Sequence, residues 1–364
     1  MRNIRIIFTL LPVLFYLIAG CRNQTTSEAG GFYSIADFMT VRKIDMHIHF
    51  NTDDTAFINL AKKDNFRLLD IVDDRPFGLP MEDQQNIALQ LARQYPGQIS
   101  FATTFRTGQW NDVNWEKRTL QYLENFISKG AIAVKIWKNI GMDLKDASGK
   151  FVMVDDPRLD PVYDLIVKKN IALIGHNGEP KDCWLPLDQM TVKGNKNYYS
   201  NHPGYHMFLH SEYPSYDDQI NSRDRMLEKH PRMRFIGCHL GSLEWSLEEI
   251  ALRLDKYPNM SVDLSRMANL HIHAFNDREK TREFFIRYRD RLIYGTDKSV
   301  NKTDNPENMK KNVHNSWLND WKFLATDEMI RSANGEGEFR GLKLPSAVID
   351  KIYRLNAEKW LKGI

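Results

Sequence analysis

The chain has 364 residues, 42% hydrophobic and 11% aromatic, with a formal net charge of +3. That balance is ordinary for a globular enzyme. No basic run and no interleaving of aromatic with basic residues stands out, which argues against a nucleic-acid partner. The three cysteines include no Cys-x-x-Cys pair, which excludes a structural zinc held by thiolates.

In chain order, residues 1–20 read as a leader rather than as part of the fold. Arg2 and Arg5 precede an apolar run from Ile6 to Ala19, and small residues follow. Ile18-Ala19-Gly20-Cys21 resembles a bacterial lipobox, with Cys21 as the lipidated residue after cleavage. An ordinary signal peptide or a transmembrane anchor is the alternative, although the run is short for a span. Residues 21–40 then read as a flexible tether. The expected location is outside the cytoplasm, lipid-anchored to a bacterial membrane on its periplasmic side or at the cell surface.

Eight short apolar segments follow: Arg42–Phe50, Phe66–Asp73, Ile99–Phe105, Ala131–Trp137, Ile171–His176, Arg234–His239, Met260–Ser265 and Arg291–Asp297. Polar or Gly/Pro residues bound each, as in strands buried on both faces. Helical patterns lie between them at Met81–Tyr95, Asn114–Lys129, Pro157–Lys169, Asp217–His230, Leu243–Lys256 and Glu279–Arg289, and another closes the chain at Pro345–Leu361. Strand–helix alternation of this length predicts an α/β fold, a (β/α)8 TIM barrel over 41–364, with an open doubly wound sheet as the alternative. The segments 177–216, dense in Trp and Tyr, and 298–344, polar and irregular, predict long loops beside the site; 298–344 reads as a loop with short helices and thin apolar content.

The first strand carries Asp45-Met-His47-Ile-His49. Side chains two apart on a strand share a face, so these three are expected to point together, the imidazoles roughly 7 Å apart. Lys135, His176, His239 and Asp297 fall at or near the ends of strands four, five, six and eight, where a TIM barrel builds its active site. Imidazoles and carboxylate without thiolate favour zinc, with manganese, cobalt or iron as alternatives, as one or two ions. Asp45, deeper on the same face, suits orienting an imidazole N–H or merely lining the barrel floor. Arg75 and Arg266 could grip a substrate carboxylate as a fork. Glu179, His202, His206 and His210 could contact substrate, although packing is the simpler reading of each. Cys238 is expected to face the helix layer, which argues against a disulfide with Cys183.

Together these motifs resemble the amidohydrolase superfamily: His47-Ile-His49, Lys135 in AVKIW, His176 in IGHNGEP, His239 in GCHLGS and Asp297 in YGTD. The ending YRLNAEKWL resembles the branch that includes decarboxylases, hydratases and lactonases. The resemblance implies that His47, His49 and Asp297 hold a first metal and that His176 holds that metal or a second. It implies that His239 is a second-metal ligand or a catalytic acid/base. Lys135 would be a carboxylated bridge between two metals, or a plain amine. Asp297 would also accept a proton from water. The expected activity is metal-dependent hydrolysis of a lactone, ester or amide of a small molecule. A one-metal decarboxylase or hydratase is the alternative, and a non-catalytic lipid-anchored binding protein the third reading. A homo-oligomer remains open.

Overall fold

The computed structural model describes residues 31–332 and 334–364. The leader, Cys21 and the first half of the tether lie outside the described residues. The last part of the supposed tether is ordered on the barrel: Ile35–Met39 form a 3-10 turn with Phe38 buried. Trp321 donates to the Ser34 carbonyl, and Tyr33 donates to Asp350. Among the described residues no helix is long and apolar enough to cross a membrane.

Nine parallel strands form one curled sheet. They are β1 (Lys43–Asn51), β2 (Phe66–Ile71), β3 (Ile99–Thr103), β4 (Ala133–Ile136), β5 (Ala172–Gly175), β6 (Arg234–Gly237), β7 (Met260–Asp263), β8 (Leu292–Ile293) and β9 (Lys298–Asn301). The order runs from β8 down to β1 and then to β9, so the strand after Asp297 pairs with the first. Met46 donates its N–H to the Tyr294 carbonyl across the same seam. The architecture is α/β and TIM-barrel-like. Of the segment Arg291–Asp297 read as strand eight only Leu292–Ile293 is strand, and Asp297, whose φ is 57°, stands immediately before β9.

Apolar side chains sort to two sides of the sheet. Ile44, Leu69, Ala102, Ala133, Ala172, Ile236 and Ile293 form one buried cluster inside the curl, closed below by Trp360, Leu361 and Ile364. The outer faces pack against the helix layer in a larger cluster. Six helices lie where periodicity places them, including Met81–Gln94, Trp115–Ser128 and Tyr216–Lys229.

Three stretches depart from expectation. Residues 298–344 are not thinly apolar. They hold a 20-residue helix, Pro306–Ala325, capped by Asn305 and burying Val313, Trp317, Trp321, Phe323 and Leu324. Asn-rich spacing hid this apolar stripe. The 177–216 segment contains a helix, Lys193–Asn201, and several 3-10 turns around buried Cys183, Tyr199 and Met207. The closing helix is interrupted by a π-turn at Lys351–Leu355.

Candidate metal centre

A β-bulge sets the geometry of the first strand. Asp45 pairs with Leu68 and Ile48 with Asp70, so β1 carries one residue more than its neighbour there. The extra residue breaks the period-two alternation. Met46 enters the inner cluster, His47 and His49 also reach the interior, and Asp45 is turned toward the helix layer. The expectation that Asp45 shares the histidine face is therefore corrected. Its carboxylate accepts the His47 N–H at 3.2 Å, the Thr296 N–H at 3.1 Å and hydroxyl at 2.7 Å, and the Trp317 indole at 3.0 Å. It ties the backbone of His47 to the residue before Asp297. Gly295 permits the approach, since a Cβ there would lie 3.0 Å from the His47 Cβ.

His47, His49 and Asp297 converge at the open end of the curl. Nε2 of His47 lies 3.2 Å, and Nε2 of His49 3.3 Å, from the same oxygen of Asp297. The tautomers follow from the opposite ring nitrogens. His49 Nδ1 lies 2.7 Å from the Ile71 carbonyl, which only accepts, so that nitrogen carries the proton. His47 Nδ1 lies 2.7 Å from Asp263 Oδ2, which burial opposes as an anion but the His47 contact holds well below the usual carboxylate range. Burial also lowers the His47 pKa, favouring the neutral ring. With Nδ1 committed in this way, each ring turns its Nε2 to the same carboxylate oxygen. The two imidazole nitrogens and the carboxylate oxygen together make the nitrogen–oxygen donor set that suits a divalent metal.

His176 adds to this fit. Its ring is buried, which depresses its pKa strongly, and its Nε2 has no hydrogen-bond partner. It packs edge-on against His239 with centroids 4.3 Å apart. Glu179, 3.9 Å from that nitrogen, is ion-paired to Lys138.

His239 begins a strained turn. His239, Leu240, Gly241 and Ser242 all adopt φ between 56° and 68°, an arrangement disfavoured by about 1–2 kcal/mol for each non-glycine residue. Gly237 makes room, because a Cβ there would meet the Gly241 Cα at 2.8 Å. Asp263 fixes the turn through Oδ1, which accepts the N–H of His239 at 2.7 Å and of Ser265 at 3.1 Å. The Ser265 hydroxyl spends its proton on the same oxygen at 2.7 Å. It must then accept from His239 Nδ1, 2.9 Å away. His239 is left with a bare Nε2, 3.7 Å from the second oxygen of Asp297. One carboxylate, Asp263, therefore sets the tautomers of both His47 and His239. Sequence analysis missed it, although it ends strand seven as the named residues end theirs.

The remaining candidates are placed as follows. Lys135 lies inside the curl and donates to Cys238 Sγ at 2.8 Å. Cys238 faces the interior, not the helix layer, because β6 alternates from outward Phe235 to inward Ile236 and Cys238. Burial raises its thiol to about 12, and both Cys183 and Cys238 are free. Arg75 is engaged within the chain, its Nε donating to Asp73 Oδ1 at 2.6 Å and a second nitrogen gripping Oδ2. Asp73 in turn lies 3.6 Å from His49 Nδ1. Arg266 makes no ion pair among the described residues, and its Nε is buried without a partner. His202, His206 and His210 each bond a backbone carbonyl and scaffold the 177–216 segment.

A family model described as amidohydrolase matches residues 44–363. The chain belongs to the amidohydrolase family. No curated protein matches it. Among solved structures it resembles an uncharacterized TIM-barrel protein of Bordetella bronchiseptica at 13% identity, covering 89% of this chain and 99% of that one, with a TM-score of 0.52. It also resembles the 5-carboxyvanillate decarboxylase of Novosphingobium aromaticivorans, solved with bound manganese, at 12% identity, 90% and 98% coverage and a TM-score of 0.50. At these identities the likeness is one of fold. Enzymes of this amidohydrolase group depend on divalent metals, and the converging His and Asp side chains supply a candidate site.

Proposed function

We propose that this amidohydrolase cleaves a lactone, ester or amide bond of a small molecule by metal-dependent hydrolysis. The observation that carries the reading is the pair of imidazole nitrogens, His47 Nε2 and His49 Nε2, converging on one oxygen of Asp297. His47, His49, His176 and Asp297 would hold the ion, zinc first by donor type, then manganese, cobalt or iron. A divalent cation there would acidify a water and polarise the carbonyl to be attacked. The second oxygen of Asp297 accepts the proton of the attacking water. His239, its Nδ1–H committed to Ser265, offers Nε2 to take that proton onward to the leaving group.

One observation bears on metal number. Lys135 spends its amine on Cys238, deep in the curl, which supports one ion rather than two bridged by a carbamate. A single ion keeps the one-metal lyase as a second reading. The test loads purified protein with zinc or manganese and measures metal per chain alongside pH-stat hydrolysis of lactones, esters and amides. Metal near one ion per chain and hydrolysis abolished by chelation are expected, both lost in folded His47→Ala/His49→Ala. Wild-type metal content in that folded double variant overturns the site. Carbon dioxide release or hydration without hydrolysis moves the reaction to the lyase reading.

A further inference from the structure

A cavity of about 420 Å³ opens beside this centre, between the segments that follow β2, β4 and β5. Glu179 joins the two, lining the cavity and standing 3.9 Å from His176 Nε2. The walls are aromatic: Phe77, Trp137, Tyr198, Tyr205 and Tyr213. Phe77 and Tyr205 are each 52% exposed and Tyr198 43%, although large rings at such positions gain most when buried. Phe77 and Trp137 meet edge-on with centroids 5.9 Å apart. These rings leave apolar faces open around a space of ligand size.

The charges in the lining decide what fits between those faces. Lys138 is neutralised by its ion pair with Glu179, and Asp143 is the other charged group. Among the described residues the lining holds no second cation. A carboxylate entering here would be desolvated against Glu179 and Asp143 with no unpaired cation in the lining, Arg266 standing outside it. An ammonium group would have to compete with Lys138, which already holds Glu179 and stands 5.3 Å over the Trp137 ring, leaving Asp143 as its one free counter-charge in the lining among the described residues. A neutral ring bearing hydroxyls meets neither cost. Its faces stack on the open aromatic walls, and its hydroxyls reach the Lys138 amine as acceptors and the Glu179 and Asp143 carboxylates as donors.

We infer that the substrate carries a neutral, hydroxyl-bearing ring, held in this aromatic cavity while the scissile bond lies at the histidine–aspartate centre. The inference rests on the hydrolase reading for the identity of that centre, but its test reads binding and needs no turnover. Methyl glucopyranoside and phenol represent the two sources of such a ring, and benzoate and benzyltrimethylammonium the charged alternatives. Saturation-transfer NMR on the zinc-loaded protein should show binding of one or both neutral rings, the better binder identifying the source, and weaker or no binding of the charged pair. Phe77→Ala and Tyr205→Ala, both at half-exposed positions, should each weaken neutral-ring binding roughly three- to tenfold with unchanged thermal melts. Stronger binding of benzoate or of the ammonium probe overturns the inference, as does neutral-ring binding indifferent to both substitutions or no ring binding at all. Hydrolysis without ring binding sinks this inference alone. Ring binding without metal-dependent hydrolysis sinks the hydrolase reading alone.

Discussion

The two ends of the barrel are built on opposite terms. At the floor, Ile44, Leu69, Ala102, Ala172 and Ile293 pack on Trp360 and Leu361, with almost every side chain apolar and out of water, the Trp360 indole N–H being a buried donor without a partner there. At the mouth, Asp297 and the turn from His239 to Ser242 sit at positive φ, and His176 Nε2, Arg266 Nε and Glu244 Oε2 are buried without partners. Strain and unpaired polar groups cost free energy, so they persist only where the rest of the structure over-determines them. The floor supplies stability, and the mouth holds groups whose partners arrive with ligands.

That contrast separates the effects of substitution. Asp297→Asn is nearly isosteric but cannot take a proton from water. With metal content matched to wild type, it should lower kcat by about 10²–10⁴-fold, or about 3–5 kcal/mol, and leave the melting transition in place. Near-normal kcat with full metal would shift the base to His239. Leu69→Ala at the floor should do the reverse. Loss of a fully buried side chain should cost about 2–5 kcal/mol in denaturant unfolding, with kcat per folded molecule and metal stoichiometry retained. If turnover falls in proportion to stability, the two ends are not separable.

Asp320 tests the layer behind the mouth. Burial pushes its carboxyl up to about 7, although the Tyr294 hydroxyl donates to it at 2.6 Å. The folded state then holds a proton that the unfolded chain releases near pH 4, so stability falls as pH rises from about 4 to about 7. Asp320→Asn keeps an acceptor for Tyr294 and removes the titration. Its advantage over wild type should grow across that window to about 2–4 kcal/mol, read by urea unfolding at pH 5 and pH 8. A pH-independent difference would refute the shift. The smallest effect is expected at Ser265. Ser265→Ala removes the acceptor that fixes the His239 tautomer and should cost about tenfold in kcat, about 1.4 kcal/mol, without loss of metal. Ser265→Thr should restore it, and an Ala variant as active as wild type would dismiss the relay.

The barrel and the converging histidines were legible because both follow from spacing. Short apolar strands between amphipathic helices specify the layers, and residues at strand ends face the mouth whatever the reaction. The β1 bulge was not legible, since one added residue leaves the apolar pattern of KIDMHIHF intact while turning Asp45 outward. Asp263 and Ser265 were passed over because their work is to hold other side chains, which appears only once His47, 216 residues away, is brought beside them. The Lys135–Cys238 contact likewise depends on which way β6 presents alternate residues, and Gly237 gave no side chain to mark the phase. The helix Pro306–Ala325 was hidden by polar residues on its outer face.

Asp297 occupies the break between β8 and β9, and β9 is the strand that zips onto β1. The same residue that faces His47 and His49 therefore stands at the joint where the two ends of the sheet meet, with some 250 residues of chain closed into the loop. A cation gripping His47, His49 and Asp297 would be a staple across that joint as well as a reagent. Closing so long a loop is entropically expensive, and a bond across it lowers the cost of keeping it shut. Metal loading would then tighten a joint that β1–β9 pairing already closes, and amide protons along β1 and β9 should exchange more slowly in the loaded protein.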